Sequence, residues 1–309
     1  MGDIQPVDGR ARAGEKQVMD IPGPTSNSFV SQRLRLRYAD WGNPEAPPLI
    51  LQHGGRDHSR SWDWAAQELR EDWHVICPDL RGHGDSDWSP DGNYNMVNFV
   101  TDFAQLVHTL GYDQVTIVAH SLGGMVATRF AGLYPEKVRK LVNLEGLGFS
   151  QDTVERKAEA GYAGLMRQWI ADRRALAGRI PRRYPSLAEA FARMKEVNGF
   201  LSDEQARHLT IHGASRNEDG TWSWKYDPYL NVHHPFDAPY EEVGKVWAAI
   251  TCPVLLLWGR ESPFTLPGDD GRAALFRDAR LKIYDQAGHW LHHDQFGRFM
   301  ADVNGFIAG

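Results

Sequence analysis

The chain has 309 residues, 42% of them hydrophobic, which is enough to bury a sizeable core. Its formal net charge is −6, and basic and acidic residues are interspersed, so a nucleic-acid partner is excluded. The two cysteines, Cys77 and Cys252, adjoin apolar runs and indicate core thiols in a reducing compartment. No apolar run approaches a membrane span, and the polar start lacks a signal-peptide pattern. We therefore expect a cytoplasmic protein with no membrane partner.

Strand and helix patterns alternate over the first half of the chain. Residues 1–27 are rich in Gly, Pro and charge, which predicts a loose N-terminal arm. Alternating or apolar runs then predict strands at residues 31–41, 48–52, 73–78, 115–119 and 138–144. Apolar residues spaced by three and four predict helices at residues 61–71, 95–110 and 122–134. This alternation indicates an α/β fold with a mostly parallel central sheet and helices on both faces.

The pattern changes near Gly146 and returns to alternation near residue 241. Between these points the sequence predicts helices at residues 153–176, 187–197 and 203–212, followed by an aromatic loop or small hairpin at 217–230. The later part predicts helices at residues 241–250, 272–279 and 291–307, and strands at 253–258 and 281–284. We therefore divide the chain into a core of residues 28–147 and 241–309 and a helical cap of residues 148–240, inserted after the sixth strand.

Ser121 lies at the junction of a buried strand and a helix. The preceding run, VTIVA, is β-branched and apolar, and the following run is helix-forming until Pro135. A strand, an abrupt serine and a helix form the context of a nucleophile elbow, which requires small residues two positions to either side. Ala119 and Gly123 occupy those positions, so the pattern is A-x-S-x-G. The pattern predicts that Ser121 is a nucleophile.

A serine hydroxyl is a weak nucleophile and needs a base within hydrogen-bonding reach. His289 follows the last predicted strand in the sequence AGHW, at the sheet edge where the elbow also lies. Of the 13 histidines, it has the position best suited to a base. We interpret His292 and His293, at the start of the last helix, as solvated or packed residues, and we expect no metal site and no cofactor.

The acid that would orient the base has two candidates. After the strand PVLLLW the chain continues as GRESPF, with Ser262 where a carboxylate would be expected and Glu261 one position earlier. Glu145 directly follows the strand after the elbow helix. A carboxylate at the end of a buried strand is costly unless it has a cationic or N–H partner, and a histidine would supply one. We favour Glu145 and keep Glu261 as the alternative.

An acyl-transfer intermediate needs N–H donors for its oxyanion. One is the N–H of Leu122, at the start of the elbow helix, and we place the other at Gly55 in the run HGG, where close backbone approach is possible. Candidate substrate-binding residues are Arg56, His120, Trp222, Trp224 and Trp290. The cap aromatics Trp222, Trp224, Tyr226 and Tyr229 suggest an acyl or alcohol group that is apolar or aromatic.

With these residues in place, the chain resembles the α/β-hydrolase superfamily, and within it the capped subgroup of esterases, lactonases, carbon–carbon bond hydrolases, epoxide hydrolases and haloalkane dehalogenases. The matching stretches are LILQHGGRDHSRSW, VICPDLRGHGDSD, VTIVAHSLGG, PVLLLWG and QAGHWLHHDQ. The resemblance implies Ser121 as nucleophile, His289 as base, and Gly55 and Leu122 as oxyanion donors. The superfamily's usual acid position falls on Ser262, whereas some members, including zearalenone-type lactonases, place a glutamate after the sixth strand, as Glu145 is placed here.

We expect a serine hydrolase that cleaves a small-molecule ester or lactone through an acyl-enzyme. Serine at the elbow argues against epoxide hydrolase and dehalogenase chemistry, in which an aspartate forms the covalent intermediate. Two alternatives stay open: a carbon–carbon bond hydrolase of the same fold, and a hydrolase-like receptor that turns its ligand over slowly.

Overall fold

The computed structural model describes residues 23–308, so most of the predicted N-terminal arm lies outside the described residues. Within this range the strands are β1 (Thr25–Ser31), β2 (Leu34–Asp40), β3 (Pro48–Gln52), β4 (His74–Pro78), β5 (Val115–His120), β6 (Val138–Leu144), β7 (Ala214–Arg216), β8 (Trp222–Trp224), β9 (Val254–Gly259) and β10 (Ala279–Tyr284). Eight of them form the main sheet of the described chain, in the order β1-β2-β4-β3-β5-β6-β9-β10. From β4 to β10 along this order the pairing is parallel. The mostly parallel sheet predicted from the sequence is confirmed.

The predicted arm of residues 1–27 extends too far, because Thr25, Ser26 and Asn27 belong to β1. This strand pairs with β2 in an antiparallel hairpin. The hairpin turns at Gln32 and Arg33, which have φ angles of 48° and 70°. This strand lies at the edge of the sheet and is mostly exposed and polar. Its sequence therefore lacks the apolar signal on which the prediction depended.

Ten α-helices occur in the described residues: α1 (Asp63–Leu69), α2 (Met96–Leu110), α3 (Leu122–Leu133), α4 (Gln151–Ala158), α5 (Gly161–Leu176), α6 (Leu187–Val197), α7 (Asp203–Gly213), α8 (Tyr240–Ala248), α9 (Leu291–Asp294) and α10 (Phe296–Ile307). None of the helices described between residues 23 and 308 is long and apolar enough to cross a bilayer. Helices α2, α3 and α8 bury their apolar residues on one face of the sheet, and α1 and α10 on the other. Cys252 and Cys77 lie in these two cores as free thiols.

Three predicted helices differ from the structure. The helix predicted at residues 153–176 is split into α4 and α5 before Gly161, whose φ of +62° is outside the helical range. The helix predicted at 272–279 is only a 3-10 turn, Arg272–Leu275, because Ala279 already pairs in β10. The helix predicted at 291–307 is interrupted at Gln295, with φ −129° and ψ 49°.

The insertion between β6 and α8 contains α4 to α7 and the hairpin β7–β8, which stays separate from the main sheet. It has a small hydrophobic cluster of its own, formed by Leu201, Ala206 and Leu209. The cluster also packs against Trp290, which follows His289 in the core. We propose that this insertion, residues 148–240, is the cap, and its position over the loop that carries His289 makes it relevant to substrate access.

Helices α3 and α8 approach closely at Gly132. A Cβ built on Gly132 would lie 2.1 Å from the backbone oxygen of Val246, which is too short for any real contact. We expect Gly132→Ala to lower the free energy of unfolding by about 2 kcal/mol, because the helices must move apart. Urea unfolding at equilibrium measures this change.

Gly305→Ala is the matched control, because no atom lies within 4 Å of a Cβ built at this exposed position in α10. We expect this second change to raise stability by about 0.5–1 kcal/mol through helix propensity. Equal stabilities for the two variants would contradict the close packing of α3 on α8.

Candidate active site

Ser121 occupies a sharp turn between β5 and α3. Its backbone has φ 51° and ψ −119°, a conformation that residues other than glycine rarely adopt. The turn is held because the Ser121 N–H donates to the oxygen of Leu144 at 2.8 Å. A Cβ on Gly123 would lie 2.4 Å from the oxygen of His53, so only glycine fits at that position. The strained backbone places the hydroxyl group at the end of β5, at the carboxyl edge of the sheet.

The imidazole of His289 lies between Ser121 and Glu145. Its Nε2 is 2.8 Å from Ser121 Oγ, and its Nδ1 is 2.5 Å from Glu145 Oε2. A carboxylate accepts but does not donate, so Nδ1 carries the proton and Nε2 is free to accept one from the serine hydroxyl. The His289 side chain remains 27% exposed, whereas that of Glu145 is fully buried. The three groups form a continuous hydrogen-bonded chain from the solvent side of the site into the core.

Glu145 follows β6 directly and has a φ of 51°. Its Oε1 accepts the N–H of Gly259 at 2.7 Å, and its Oε2 accepts the hydroxyl of Ser262 at 2.6 Å as well as His289 Nδ1–H. These donors satisfy both oxygens of a side chain that would otherwise be buried without hydrogen-bond partners. Ser262, at the position where the superfamily usually has its acid, thus donates a hydrogen bond to the carboxylate that contacts the base.

Glu261, the alternative acid, is directed elsewhere. Its two carboxylate oxygens accept the N–H groups of Gln286 and Ala287, at 3.1 and 2.9 Å. These residues lie on the loop that leads to His289, so Glu261 holds the loop backbone and not the imidazole. The structure brings Glu145, and not Glu261, to His289.

Gly55 and Leu122, the expected oxyanion donors, are neighbours in space, and Leu122 directly follows Ser121 in the chain. Leu122 is the first residue of α3, where a helix leaves its N–H groups without partners. A Cβ built on Gly55 would be 3.8 Å from Leu122 Cδ2, which places the two residues side by side. The loop is anchored by buried His53, whose Nδ1–H donates to the oxygen of Gly54 at 2.7 Å and whose Nε2 accepts the N–H of Leu80 at 3.0 Å. This arrangement can direct two donors at one oxygen.

The candidate pocket residues divide into two groups. Arg56, Trp224 and Trp290 line a cleft between the core and the proposed cap, together with Met194 and Tyr226. Trp222 lies outside the lining of this cleft, because its backbone pairs with Tyr184 at the outer side of the hairpin. Sequence reasoning missed Asp57, a buried carboxyl group in the same cleft. Its position next to Arg56 was the available signal.

His120, expected among the substrate-binding residues, is instead only 1% exposed and lies behind His289. Its Nε2–H donates to the backbone oxygen of His289 at 2.8 Å, and the two rings are 4.6 Å apart. Burial lowers the pKa of His120 well below its usual range, so the ring is neutral. We therefore interpret His120 as a support for the base.

The stack of histidine rings continues from His120 to the cap. His292 lies 4.8 Å from His120, and His293 lies 4.2 Å from His292, measured between ring centroids. The backbone oxygen of His293 accepts a hydrogen bond from Gln205 of α7 at 3.0 Å. Burial lowers the pKa of His293 to about 3. The side chains stacked behind His289 are therefore uncharged imidazoles.

Within residues 23–308, one cluster could hold a metal ion. It consists of Asp63, His208 and His212, whose ligand atoms lie within 4.8 Å of one another. Arg60 already occupies this set, with its Nε 2.8 Å from both oxygens of Asp63 and its Nη1 3.4 Å from His212 Nδ1. Because a guanidinium takes the place that a metal cation would need, we interpret the cluster as an ion-pair network joining α1 to α7.

Comparison with known proteins gives a family and several relatives. The family described as "alpha/beta hydrolase fold" matches residues 47–296. A 3-hydroxybutyrate-oligomer hydrolase of Cupriavidus necator is 31% identical over 249 residues, which are 75% of this chain and 78% of the relative. An esterase of Mycobacterium tuberculosis is 27% identical over 293 residues, or 93% of this chain and 91% of the relative. The structure of E-2-(acetamidomethylene)succinate hydrolase superposes with a TM-score of 0.76 at 20% identity, covering 93% of this chain and all of that chain, and supports the fold alone.

The buried histidine His293 makes stability depend on pH. Its pKa is 6.5 in the unfolded chain and about 3 in the folded chain, so the folded state binds fewer protons between these values. The contribution of His293 to the free energy of unfolding is therefore full above pH 6.5 and is lost as the pH falls towards 3. At pH 4.5, two units below 6.5, the loss from this one group is about 3 kcal/mol.

We expect His293→Phe to remove this dependence, so that the stability of the variant relative to the wild type rises between pH 7 and pH 4.5. Urea unfolding at the two pH values measures it. His108→Phe, at an exposed position on α2, is the control and should follow the wild-type pH profile. A constant difference between His293→Phe and the wild type at both pH values would show that His293 is not buried in its neutral form.

Proposed function

The chain belongs to the α/β-hydrolase fold family, and from this premise we propose that it is a serine hydrolase that cleaves a carboxylic ester or a lactone through an acyl-enzyme. The observation that supports this most strongly is the hydrogen-bonded chain from Ser121 through His289 to Glu145, with distances of 2.8 and 2.5 Å. A serine activated by an oriented neutral imidazole is suited to attack on an acyl carbon.

In the proposed mechanism, His289 Nε2 takes the proton of Ser121 as Oγ attacks the carbonyl carbon. The carbonyl oxygen becomes an oxyanion between the N–H groups of Gly55 and Leu122. The imidazolium is stabilised by the Glu145 carboxylate, which Gly259 and Ser262 hold in place by donating to it. The proton passes from Nε2 to the departing alcohol oxygen, which leaves the acyl group on Oγ.

Deacylation repeats these steps with water as the nucleophile. His289 removes a proton from the water molecule, the hydroxide oxygen adds to the acyl carbon, and the imidazolium returns the proton to Ser121 Oγ as the acyl bond breaks. The products are a carboxylic acid and an alcohol, or a single hydroxy acid if the substrate is a lactone. The reaction needs no group beyond the residues named and a water molecule, so we propose a reaction without cofactor.

The relatives favour ester cleavage over the alternatives. One relative is named an esterase and another a 3-hydroxybutyrate-oligomer hydrolase, and oligomers of a hydroxy acid are joined by ester bonds. An epoxide hydrolase of Mus musculus is also related, at 24% identity, but serine at the elbow of this chain does not supply the carboxylate nucleophile of that chemistry. The aromatic residues Trp224, Tyr226 and Trp290 support a substrate with an apolar portion.

Hydrolysis of p-nitrophenyl butanoate tests the proposal. We expect steady turnover by the wild type and a fall in kcat of about 10⁴-fold or more in Ser121→Ala, because the nucleophile is removed. Mass spectrometry of acid-quenched wild-type enzyme should find the butanoyl group on the peptide that contains Ser121.

Ser28→Ala is the control, because Ser28 is exposed on β1 and far along the sheet from the elbow. We expect it to retain wild-type kcat. Turnover that survives in Ser121→Ala would contradict the proposal. If the wild type binds the esters and lactones but hydrolyses all of them very slowly, the receptor alternative is supported instead.

A further inference from the structure

We propose that the natural substrate carries a carboxylate close to the scissile carbonyl group, and that Arg56 binds this carboxylate. The inference rests on the proposed ester hydrolysis, because it defines one part of the substrate of that same site. It concerns the polar end of the cleft, whereas the aromatic residues define the apolar part.

Arg56 directly follows Gly55, the proposed oxyanion donor. Consecutive Cα atoms are about 3.8 Å apart, so the same short substrate can reach both residues. The backbone of Arg56 has a φ of 60°, a left-handed conformation that an arginine adopts at a cost in free energy. The Arg56 side chain lines the cleft with Trp224, Tyr226 and Trp290, and Trp290 directly follows His289 in the chain.

The Arg56 side chain has no acidic partner in the cleft that it lines. In the described part of the chain its side chain forms no ion pair and no hydrogen bond, and it is exposed. By contrast, Arg60 pairs with Asp63 at 2.6 Å and Arg81 pairs with Asp102 at 2.5 Å. A guanidinium left unpaired in a cleft is ready to bind an anion.

The other charged groups of the cleft leave its positive charge uncompensated. Lys225 pairs with Asp85 at 2.8 Å, so these two charges offset each other. Burial raises the pKa of Asp57 to about 7, so this carboxyl group is largely neutral below neutral pH. His58 is buried and its pKa is lowered to about 3 by burial, so it is neutral as well. The cleft is therefore positive at Arg56 although the whole chain has a net charge of −6.

The chemistry favours a carboxylate, because its two oxygens match the planar fork of the guanidinium. The proximity of Arg56 to the oxyanion donor favours a short acid, such as the half-ester of a four- or five-carbon dicarboxylic acid or an ester of a small hydroxy acid. The carboxylate can lie on the acyl side or on the alcohol side of the scissile bond, and the experiment includes both sides.

Two pairs of substrates test the inference. On the acyl side, mono-p-nitrophenyl glutarate is compared with p-nitrophenyl pentanoate, which has a methyl group in place of the carboxylate. On the alcohol side, 4-acetoxybenzoate is compared with 4-methylphenyl acetate. The quantity measured is the ratio of kcat/KM for the charged member to kcat/KM for the neutral member of each pair.

We expect the wild type to favour the charged substrate in at least one pair after correction for the uncatalysed hydrolysis rates. Arg56→Met should lower that ratio by about 10- to 100-fold, which corresponds to the loss of a charge-assisted hydrogen-bonded pair. Arg56→Lys, which keeps the charge but loses the fork, should give an intermediate ratio. Thermal unfolding of each variant checks that it is folded.

Arg33→Met is the matched control. Arg33 is also exposed and has a left-handed φ of 70°, but it lies in the β1–β2 turn at the edge of the sheet. The substitution removes the same charge and should leave both ratios unchanged. An equal fall in Arg33→Met would overturn the inference, because net charge alone would then explain the preference.

The remaining outcomes separate this inference from the proposed function. If the neutral esters are cleaved in a Ser121-dependent manner but Arg56→Met changes neither ratio, the inference is wrong and the serine hydrolase stands. If no substrate of either pair is cleaved in a Ser121-dependent manner, both proposals fail.

Discussion

The buried carboxylate of Glu145 is the group on which the arrangement of the site depends. It lies at the end of β6, is fully buried, and accepts hydrogen bonds from Gly259, Ser262 and His289. These donors come from the end of β9, from the loop after it and from the loop after β10. A single charge therefore fixes three segments of the sheet edge, because a buried carboxylate that lost any of these donors would be strongly destabilised.

The orientation of His289 follows from the same interaction. The carboxylate holds the proton on Nδ1 and leaves Nε2 to face Ser121, and the backbone oxygen of His289 is held from behind by His120. Burial keeps the neighbouring imidazole of His120 neutral, so no second positive charge opposes the imidazolium that the proposed mechanism forms. The stack of histidines thus packs behind His289 without placing a second positive charge next to it.

The sequence predicted the parts of the structure that have local signals. Ser121 was found because a β-branched strand, a serine and a helix are consecutive, and His289 because it follows the last strand. The choice between Glu145 and Glu261 stayed open, because both follow strands that end at the same edge. What separates them is a backbone φ of 51° at Glu145 and the position of a distant loop, and neither has a signature in one sequence.

The remaining differences have similar causes. β1 was missed because an edge strand buries few side chains, and the break before Gly161 was missed because one glycine does not reliably end a helical pattern. His120 is a predicted pocket residue that the structure buries, and the sequence of β5 gives no information on depth at the end of a strand buried on both faces. Arg56, Trp224 and Trp290 do lie together in one cleft, although they are far apart in the sequence.

The most direct test of this account compares kcat for p-nitrophenyl butanoate in Glu145→Gln and Glu261→Gln. Both substitutions keep the size of the side chain and remove one negative charge at a strand end. We expect Glu145→Gln to lower kcat by about 10³- to 10⁴-fold, because the amide favours the wrong tautomer of His289 and no longer stabilises the imidazolium. Glu261→Gln should lower it by less than about tenfold, because Glu261 holds only the loop backbone. A larger loss in Glu261→Gln than in Glu145→Gln would contradict the account.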